Sequence, residues 1–526
     1  MTCLSKEYEF LCWLEKVQMA SGEIRIIKRS QTELAKSYGS SPATVNGWMK
    51  LLRKNGLIET YKSKSGYIIT KDGERVIRKC EELIGVTEEI EESTSSVMNR
   101  PVEENTYIDV FAGCGGLSLG LGEAGWKGLF AIEKDPMAFS TFYHNLVEEN
   151  APFRHFSHWP EWLTKEAHSI EDVLEDPEVD SNIRSYKGHV TLLAGGPPCQ
   201  GFSVAGARNG NDPRNLLVFK QIELIKQLKP LFSLVENVGG FEKKFVLRPN
   251  DNTTQSVAAE AVRKISELGY SVGKVVINAA DYGVPQIRKR VLLFAVSKEY
   301  GGELDAGRLL EDTLKIVAVR QRKELGLPEG RYITTGEAIG DLSSDCTIQD
   351  QEYPSFKTSD YLEPTSEYEK LMRKGLSEGE KPNCHRFNRH SEKLIALYNK
   401  AHETQPAGRL SKEFLYANGC HSNKRYVLDT SKPCSTLTTA PEELIHYSLP
   451  RVVTLREMAR LQSFPDKFHF YGRYTLNGPA RGVDVPRNAQ IGNAIPPLAG
   501  MAIGEAIAMI KTMIDCGDER LEAYRI

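Results

Sequence analysis

One cysteine in this 526-residue chain stands where a thiol could do chemistry. Cys199 lies in "GGPPCQGFS", directly after the apolar run "HVTLLA", which reads as a buried strand. Pro197 and Pro198 fix φ ahead of it, so the thiol is held at the rigid mouth of a strand. Ligands of open α/β sheets sit at the carboxyl ends of strands, and a partly exposed thiol there is a nucleophile candidate. A lone cysteine is otherwise a small buried hydrophobe. The next apolar run ends in "VENV", bringing Glu236 to the same sheet edge. "YGVPQIRKRVLLFA" sets Arg288 and Arg290 two residues apart, on one face at the start of a strand. Each of these could belong to a structural ion pair. Together they describe a crevice holding a nucleophile, a carboxyl group and two cations.

A second constellation precedes these. "DVFAGCGGLSLGL" places glycines between a strand and a helix, where backbone can approach a ligand closely. A tight turn with glycines for packing would look the same. About twenty residues on, "AIEKD" puts Glu133 at the end of the next strand, where a carboxylate can accept from a ribose diol. Loop and acid together point to a nucleoside cofactor. The loop is not GxGxxG and no extra cation stands ready for a pyrophosphate. Both details favour S-adenosylmethionine over a dinucleotide.

These residues need a scaffold. Between residues 106 and 297, six apolar runs, "TYIDVFA", "GLFAIE", "HVTLLAGG", "LFSLVENV", "SVGKVVIN" and "RVLLFAVS", alternate with amphipathic stretches such as "NLLVFKQIELIKQL" and "VAAEAVRKISEL". That alternation predicts an α/β domain with a mostly parallel, Rossmann-like sheet covered by helices. Residues 298–450 lose the rhythm, become polar and read mainly as structured loops, a second and smaller domain. Residues 451–526 end in "NAIPPLAGMAIGEAIAMIKTMI", expected as one long apolar-faced helix. Residues 1–84 carry more Lys and Arg than Asp and Glu, and 85–105 have the acidic, polar composition of a linker. Within the first segment, "TELAKSYG" and "SPATVNGWMKLLRKNG" read as the two helices of a helix-turn-helix, with Ser41 as the second helix's N-cap. "LIETYKSKSGYIIT" then reads as a wing, its hairpin turned near Gly66. Lys50, Arg53, Lys54, Lys62 and Lys64 favour DNA over a protein partner.

Composition narrows the class. Net charge is −3, so a nucleic-acid surface must be local. No apolar stretch is expected to approach the ~20 residues that span a bilayer, and the N-terminus has charges inside its apolar part. Ten cysteines without a CxxC pair do not make a disulfide framework, and a reducing cytoplasm suits a free thiol. Cys384, His385, His390, Cys420, His421 and Cys434 lack the spacing of a zinc ribbon or finger, so no metal is expected.

The motifs and their order over residues 106–510 resemble the C5-cytosine DNA methyltransferase family. "DVFAGCGGLSLGL" is similar to its cofactor loop and "GGPPCQGFS" to its catalytic loop. "ENV" and "QIRKR" resemble its glutamate and arginine motifs, and "TLREMARLQSFPD" and "QIGNAIPP" its C-terminal pair. The resemblance implies Cys199 as nucleophile, Glu236 at N3 of the cytosine, and Arg288 and Arg290 on the base and its phosphate. It implies Gln200 and Ser203 around a flipped nucleotide. For S-adenosylmethionine it implies Phe111, Gly113, Gly115, Gly116, Leu117, Glu133, Pro198 and Asn493, with Asp172 as the candidate for the acid that binds the adenine amine. The partner implied is double-stranded DNA, read by residues 298–450, with a cognate restriction endonuclease as a further partner and a monomer acting on DNA. Two other readings stay open: a DNA-binding regulator with an inactive enzyme domain, and an RNA cytosine-5 methyltransferase.

Overall fold

The computed structural model describes the chain except residues 1–9, 12, 16, 18, 22–23, 28–29, 39–40, 62–65, 76, 78–104, 199–216, 239–243, 247–253, 421–423 and 476–484. It forms two compact units, one of Met1–Glu103 with Ala318–Arg320 and a larger one of Glu104–Val317 with Gln321–Ile526.

In the first unit, β1 (Met19–Ser21) and β2 (Ile24–Ile26) pair antiparallel. Helices α1 (Gln31–Tyr38) and α2 (Pro42–Lys54) follow, then the antiparallel pair β3 (Ile58–Tyr61) and β4 (Gly66–Ile69). Ser41 caps α2 by accepting from the Thr44 amide at 3.1 Å. Val45, Met49 and Leu52 lie on one helical face and are buried with Leu34, Ile58 and Phe10. Lys50, Arg53 and Lys54 lie on the exposed face; Lys62 and Lys64 fall outside the described residues.

The larger unit is built on a six-stranded sheet. Its strands are β5 (Thr106–Val110), β6 (Lys127–Ile132), β7 (Leu192–Gly195), β8 (Phe232–Asn237), β11 (Tyr270–Asn278) and β13 (Lys289–Ser297), in the spatial order β11-β13-β8-β7-β5-β6. All six apolar runs became strands. Four are parallel, while β13 runs antiparallel to both β8 and β11. The antiparallel strand matters for function: it brings the start of β13 to the edge where the parallel strands end. The chain leaves β5 for β6 on one side and returns to β7 on the other, so the crevice between β5 and β7 is the topological switch point.

Helices α3 (Gly116–Glu123), α4 (Pro136–Leu146), α5 (Ile170–Glu175), α6 (Pro177–Ser185), α7 (Leu217–Leu228) and α8 (Val257–Glu267) connect these strands. The short strands β9 (Lys244–Val246) and β10 (Thr254–Ser256) pair with each other ahead of α8. β12 (Gln286–Ile287) precedes β13.

Two expectations fail beyond this sheet. Residues 306–324, expected among structured loops, form the 19-residue helix α9 (Ala306–Glu324), capped by Asp305. Its buried Leu310, Leu314, Val317 and Gln321 follow helical spacing, a period hidden by the polar residues between them. α9 packs on the sheet where Gly307 meets Gly273; a Cβ at Gly273 would lie 1.9 Å from the Gly307 nitrogen. The C-terminal apolar stretch forms the expected long helix from Pro497 onward, with a short separate helix ahead of it. After α10 (Thr335–Ile339), α11 (Glu367–Met372), α12 (Glu392–Thr404), α13 (Lys412–Ala417) and α14 (Leu455–Leu461) come α15 (Arg487–Asn493) and α16 (Pro497–Cys516). Pro496 and Pro497 cause the break, because a residue before proline avoids the helical region and proline itself suits a first turn. The span Arg487–Cys516, which contains α16, is also long and apolar enough, by composition, to cross a membrane, contrary to expectation. Here α16 is a core helix: Ala502, Ile503, Ala506, Ile507 and Ile510 are fully buried.

Among its described residues the polar region contains six short strands, four of them paired with one another: β14 (Ile348–Gln349) with β15 (Lys357–Thr358), and β16 (Gly408–Arg409) with β17 (Tyr426–Val427). β18 (Cys434–Ser435) joins β12, and β19 (Leu444–Ile445) joins β17. Leu397, Tyr398, Leu415, Val427 and Ile445 give this region a core of its own.

Candidate active site

The ends of β5, β7 and β8 and the start of β13 meet at one edge. Glu236, the penultimate residue of β8, is opposite Leu292 of β13; Arg290 is two residues away on the same face, a diagonal neighbour. Its Nε lies 2.7 Å from a Glu236 carboxylate oxygen, with both side chains about one-eighth exposed. Burial pushes the Glu236 carboxyl above its ordinary range, against the opposing pull of Arg290 and Arg288. The other carboxylate oxygen faces Gly196, where an added Cβ would lie 3.2 Å from it. A side chain at 196 would crowd that carboxyl group. Asn237 donates to the Pro197 carbonyl at 3.2 Å and accepts from the Val238 amide, tying the end of β8 to the segment after β7. Sequence reading missed this residue, although it sits inside the "ENV" quoted for Glu236.

The two arginines part company. Arg288, expected beside Arg290 in the crevice, is buried and donates to the carbonyls of Leu437, Gly492 and Ala494 and to the Gln286 side chain. Burial and Arg290 hold its guanidinium well below the usual arginine range, with Glu236 opposing. The backbone explains the difference: Arg288 lies between β12 and β13, outside the pleat that aligns Arg290 with Glu236. Its guanidinium joins the sheet to two distant segments and still lies close enough to Glu236 to oppose the rise of that carboxyl.

The glycine loop follows β5. Phe111 adopts a left-handed conformation, φ 60°, uncommon for a bulky residue, and Gly113 and Gly115 follow at 58° and 93°. A Cβ at Gly113 would meet nothing within 4 Å, so that glycine borders open space. Gly116 instead is packed: a Cβ there would lie 2.2 Å from the Ile495 carbonyl. Gly116 and Leu117 begin α3 and are buried. The "QIGNAIPP" segment therefore closes over the loop, and Asn493 is exposed at the end of α15. Glu133 accepts from the amides of Gly113 at 2.9 Å and Asp135 at 2.8 Å, and burial pushes its carboxyl up. Beneath the loop, buried Asp109 accepts from Ser118 at 2.6 Å, and its carboxyl is raised to about 7 by burial. Asp172 is exposed on the first turn of α5. The residue bonded to the Glu133 carbonyl is His168. Pro198 is half-buried; Cys199, Gln200 and Ser203 fall outside the described residues.

"TLREMARLQSFPD" carries a buried charge network. Arg460 pairs with Asp466 at 2.6 Å and Asp341 at 2.9 Å, all fully buried. Arg451 and Glu457 make a bidentate pair, and Thr454 with Glu457 forms a capping box on α14. Burial pushes Glu457 up, but Arg451 overrides it and brings the carboxyl down to about 2. His385 lies between Thr454 and Ser359 at 2.8 and 3.1 Å, its ring driven down to about 3 by burial.

The chain is similar to known proteins across this unit. Residues 105–509 match the model of the C-5 cytosine-specific DNA methylase family. Type II methyltransferase M.DdeI of Desulfomicrobium norvegicum is 30% identical over 417 residues, covering 76% of this chain and 88% of the relative. Type II methyltransferase M1.HphI of Haemophilus parahaemolyticus is 28% identical, covering 77% and 87%. A crystal structure of a DNA modification methyltransferase encoded within an E. coli prophage shares the fold, with a TM-score of 0.52 at 24% identity over 77% of this chain and 98% of that one. With a loop, a buried carboxyl group and a closing C-terminal segment arranged on one sheet edge, and with most of its length matched, this chain belongs to the C-5 cytosine-specific DNA methylase family.

Proposed function

We propose that the chain transfers a methyl group from S-adenosylmethionine to C5 of a flipped-out cytosine in a specific duplex DNA sequence. The observation that carries this reading is the buried Glu236 carboxyl, raised by its site and held against Arg290 beside the Gly196–Pro198 segment. The cofactor would lie against Phe111, the open side of Gly113, Glu133 and Asn493, and supplies an electrophilic methyl on sulfur. C5 of cytosine is too electron-poor to take that methyl unaided. Addition of the Cys199 thiolate at C6 makes C5 enamine-like, while Glu236 protonates N3 and Arg290 holds both the base and the carboxyl group. After transfer, loss of the C5 proton to a base expels the thiolate by β-elimination and returns the cysteine. Atoms on C5 and N3 are unreachable inside a stacked duplex, so the base leaves the stack.

In this reading residues 298–450 read the target, and residues 1–84 are a winged helix-turn-helix whose α2 enters a major groove with Lys50, Arg53 and Lys54 on phosphates. The protein acts in the cytoplasm as a monomer on DNA, within a restriction-modification pair or as a solitary methylase regulating its own gene. A duplex carrying 5-fluorocytosine at the target traps the protein covalently, because elimination needs a removable C5 proton. Cys199→Ser abolishes both trapping and methyl transfer while keeping cofactor binding. Clear methylation by the serine variant, read by bisulfite sequencing, would overturn the nucleophile assignment.

A further inference from the structure

Arg386 occupies an unusual position in the polar region. Its guanidinium sits against three rings, 3.8 Å from the Tyr474 centroid, 4.1 Å from Phe356 and 4.5 Å from Tyr353. The neighbouring Arg487 is neutralised by Glu352 at 2.6 Å. Arg386 has no such partner: among the described residues its guanidinium makes no ion pair or hydrogen bond, and its Nε is buried without an acceptor. The backbone around it is pinned. The Arg386 amide donates to the Tyr474 hydroxyl at 3.1 Å, and the Phe387 amide donates to the Lys357 carbonyl at 2.7 Å. Asn388, two residues on, lines the same shallow surface depression with Thr454, Leu455 and Thr475. Its amide also has no protein partner among the described residues.

A planar cation held by three rings and a free carboxamide beside it fit a ligand with paired acceptors and donors in one plane. Rings fix the plane of the guanidinium, which suits a bidentate contact and removes the freedom a long side chain uses to follow a phosphate. The major-groove edge of guanine offers two such acceptors, N7 and O6, and Asn is suited to the adjacent base edge. Position agrees with this. α15 begins at Arg487, 5.3 Å from the Tyr474 ring, and ends beside the carbonyls that Arg288 holds at the catalytic edge. Its seven residues span about 10 Å, roughly three base-pair steps of 3.4 Å.

We propose that Arg386 reads a guanine of the target sequence, with Asn388 contacting the neighbouring base edge. The inference rests on the methyltransferase reading above. The test uses the full chain, S-adenosylmethionine and a duplex library randomised around the methylated cytosine, scored by bisulfite sequencing. In the target so defined, each guanine is replaced in turn by 7-deazaguanine, which lacks the N7 acceptor. One replacement lowers wild-type kcat/KM by about 10- to 100-fold. Arg386→Ala loses a similar factor on the unmodified duplex, is not hurt further by that replacement, and relaxes the library at that one position. Arg386→Lys, which keeps the charge, guards against a folding defect and relaxes the same position. Arg389→Ala, an exposed neighbour, weakens all sequences equally. If both Arg386 variants keep the wild-type preference at every position, or if wild type is indifferent to all 7-deazaguanine replacements, the assignment is overturned. A wild type that methylates no cytosine would instead overturn the catalytic reading itself.

Discussion

In the proposed mechanism Glu236 carries a proton for N3, so the fraction of enzyme with a protonated carboxyl group falls as pH rises through its raised pKa. Activity should show that alkaline limb. Arg290 opposes the rise. Removing it in Arg290→Met should therefore move the limb to higher pH while weakening the hold on the base. Glu236→Gln keeps a hydrogen-bonding side chain but no transferable proton. It should lower kcat by about 100- to 10,000-fold and abolish that limb. Steady-state kcat profiles against pH decide both; a limb that stays in place without Arg290 would show that the pair does not set the proton's affinity. At the other end of the crevice, Glu133 accepts from two backbone amides of the loop and the strand end. Hydrogen bonds to charged groups contribute about 1.5–3 kcal/mol. Glu133→Ala should weaken S-adenosylmethionine binding by roughly one to two orders of magnitude in calorimetric titration, and unchanged affinity would remove Glu133 from the cofactor site.

At the scale of elements, α14 is buried on every side, its Leu455, Met458, Ala459 and Leu461 packed in the core beside three charged residues. Arg456, Glu457 and Arg460 are fully buried on its seven residues. Glu457 has a folded pKa of about 2 against an ordinary 4.5, so its stabilisation is present above 4.5 and is lost as pH falls towards 2. His385 and His446 act in the same direction. Burial holds them neutral, at about 3 and about 4 against 6.5, so the unfolded chain binds more protons than the folded one below 6.5. The thermal midpoint should fall as pH drops from about 6.5. Arg451→Met leaves Glu457 buried without its partner and should cost about 3–5 kcal/mol at neutral pH. Scanning calorimetry across pH reads both, and a midpoint independent of pH between 6.5 and 4 would contradict the neutral buried histidines.

For the whole molecule, the family match begins at residue 105 and leaves Met1–Glu103 outside it. A chain starting at Met98 should fold and methylate the same sequence as the full protein. It should lose any second DNA site, such as an operator near its own gene. Neutralising Lys50, Arg53 and Lys54 should weaken that second site and flatten its salt dependence, since phosphate contacts release counterions. Bisulfite sequencing and footprinting compare the two chains. A shortened protein that is inactive or reads a different target would make the first unit part of the catalytic recognition of DNA.

Local signals determined much of this protein. Six β-rich runs became the six sheet strands because apolar content and strand length are local properties, and Ser41 capped α2 because a cap needs only its own next three residues. Glu236 and Glu133 were legible because strand ends carry them to the ligand edge of any such sheet. Other matters depended on contacts between distant residues. Arg288 and Arg290 are two residues apart, yet one binds carbonyls contributed by residues 437, 492 and 494 and the other binds Glu236. No spacing rule separates them, since the difference lies in which distant segment packs nearby. The antiparallel course of β13, the turn at Pro496 that lets Ile495 cover Gly116, and the charge pairs between Arg460, Asp341 and Asp466 have the same origin. A buried charge is stable only where its partner also arrives, and for Arg460 and Asp341 tertiary packing brings that partner from more than a hundred residues away.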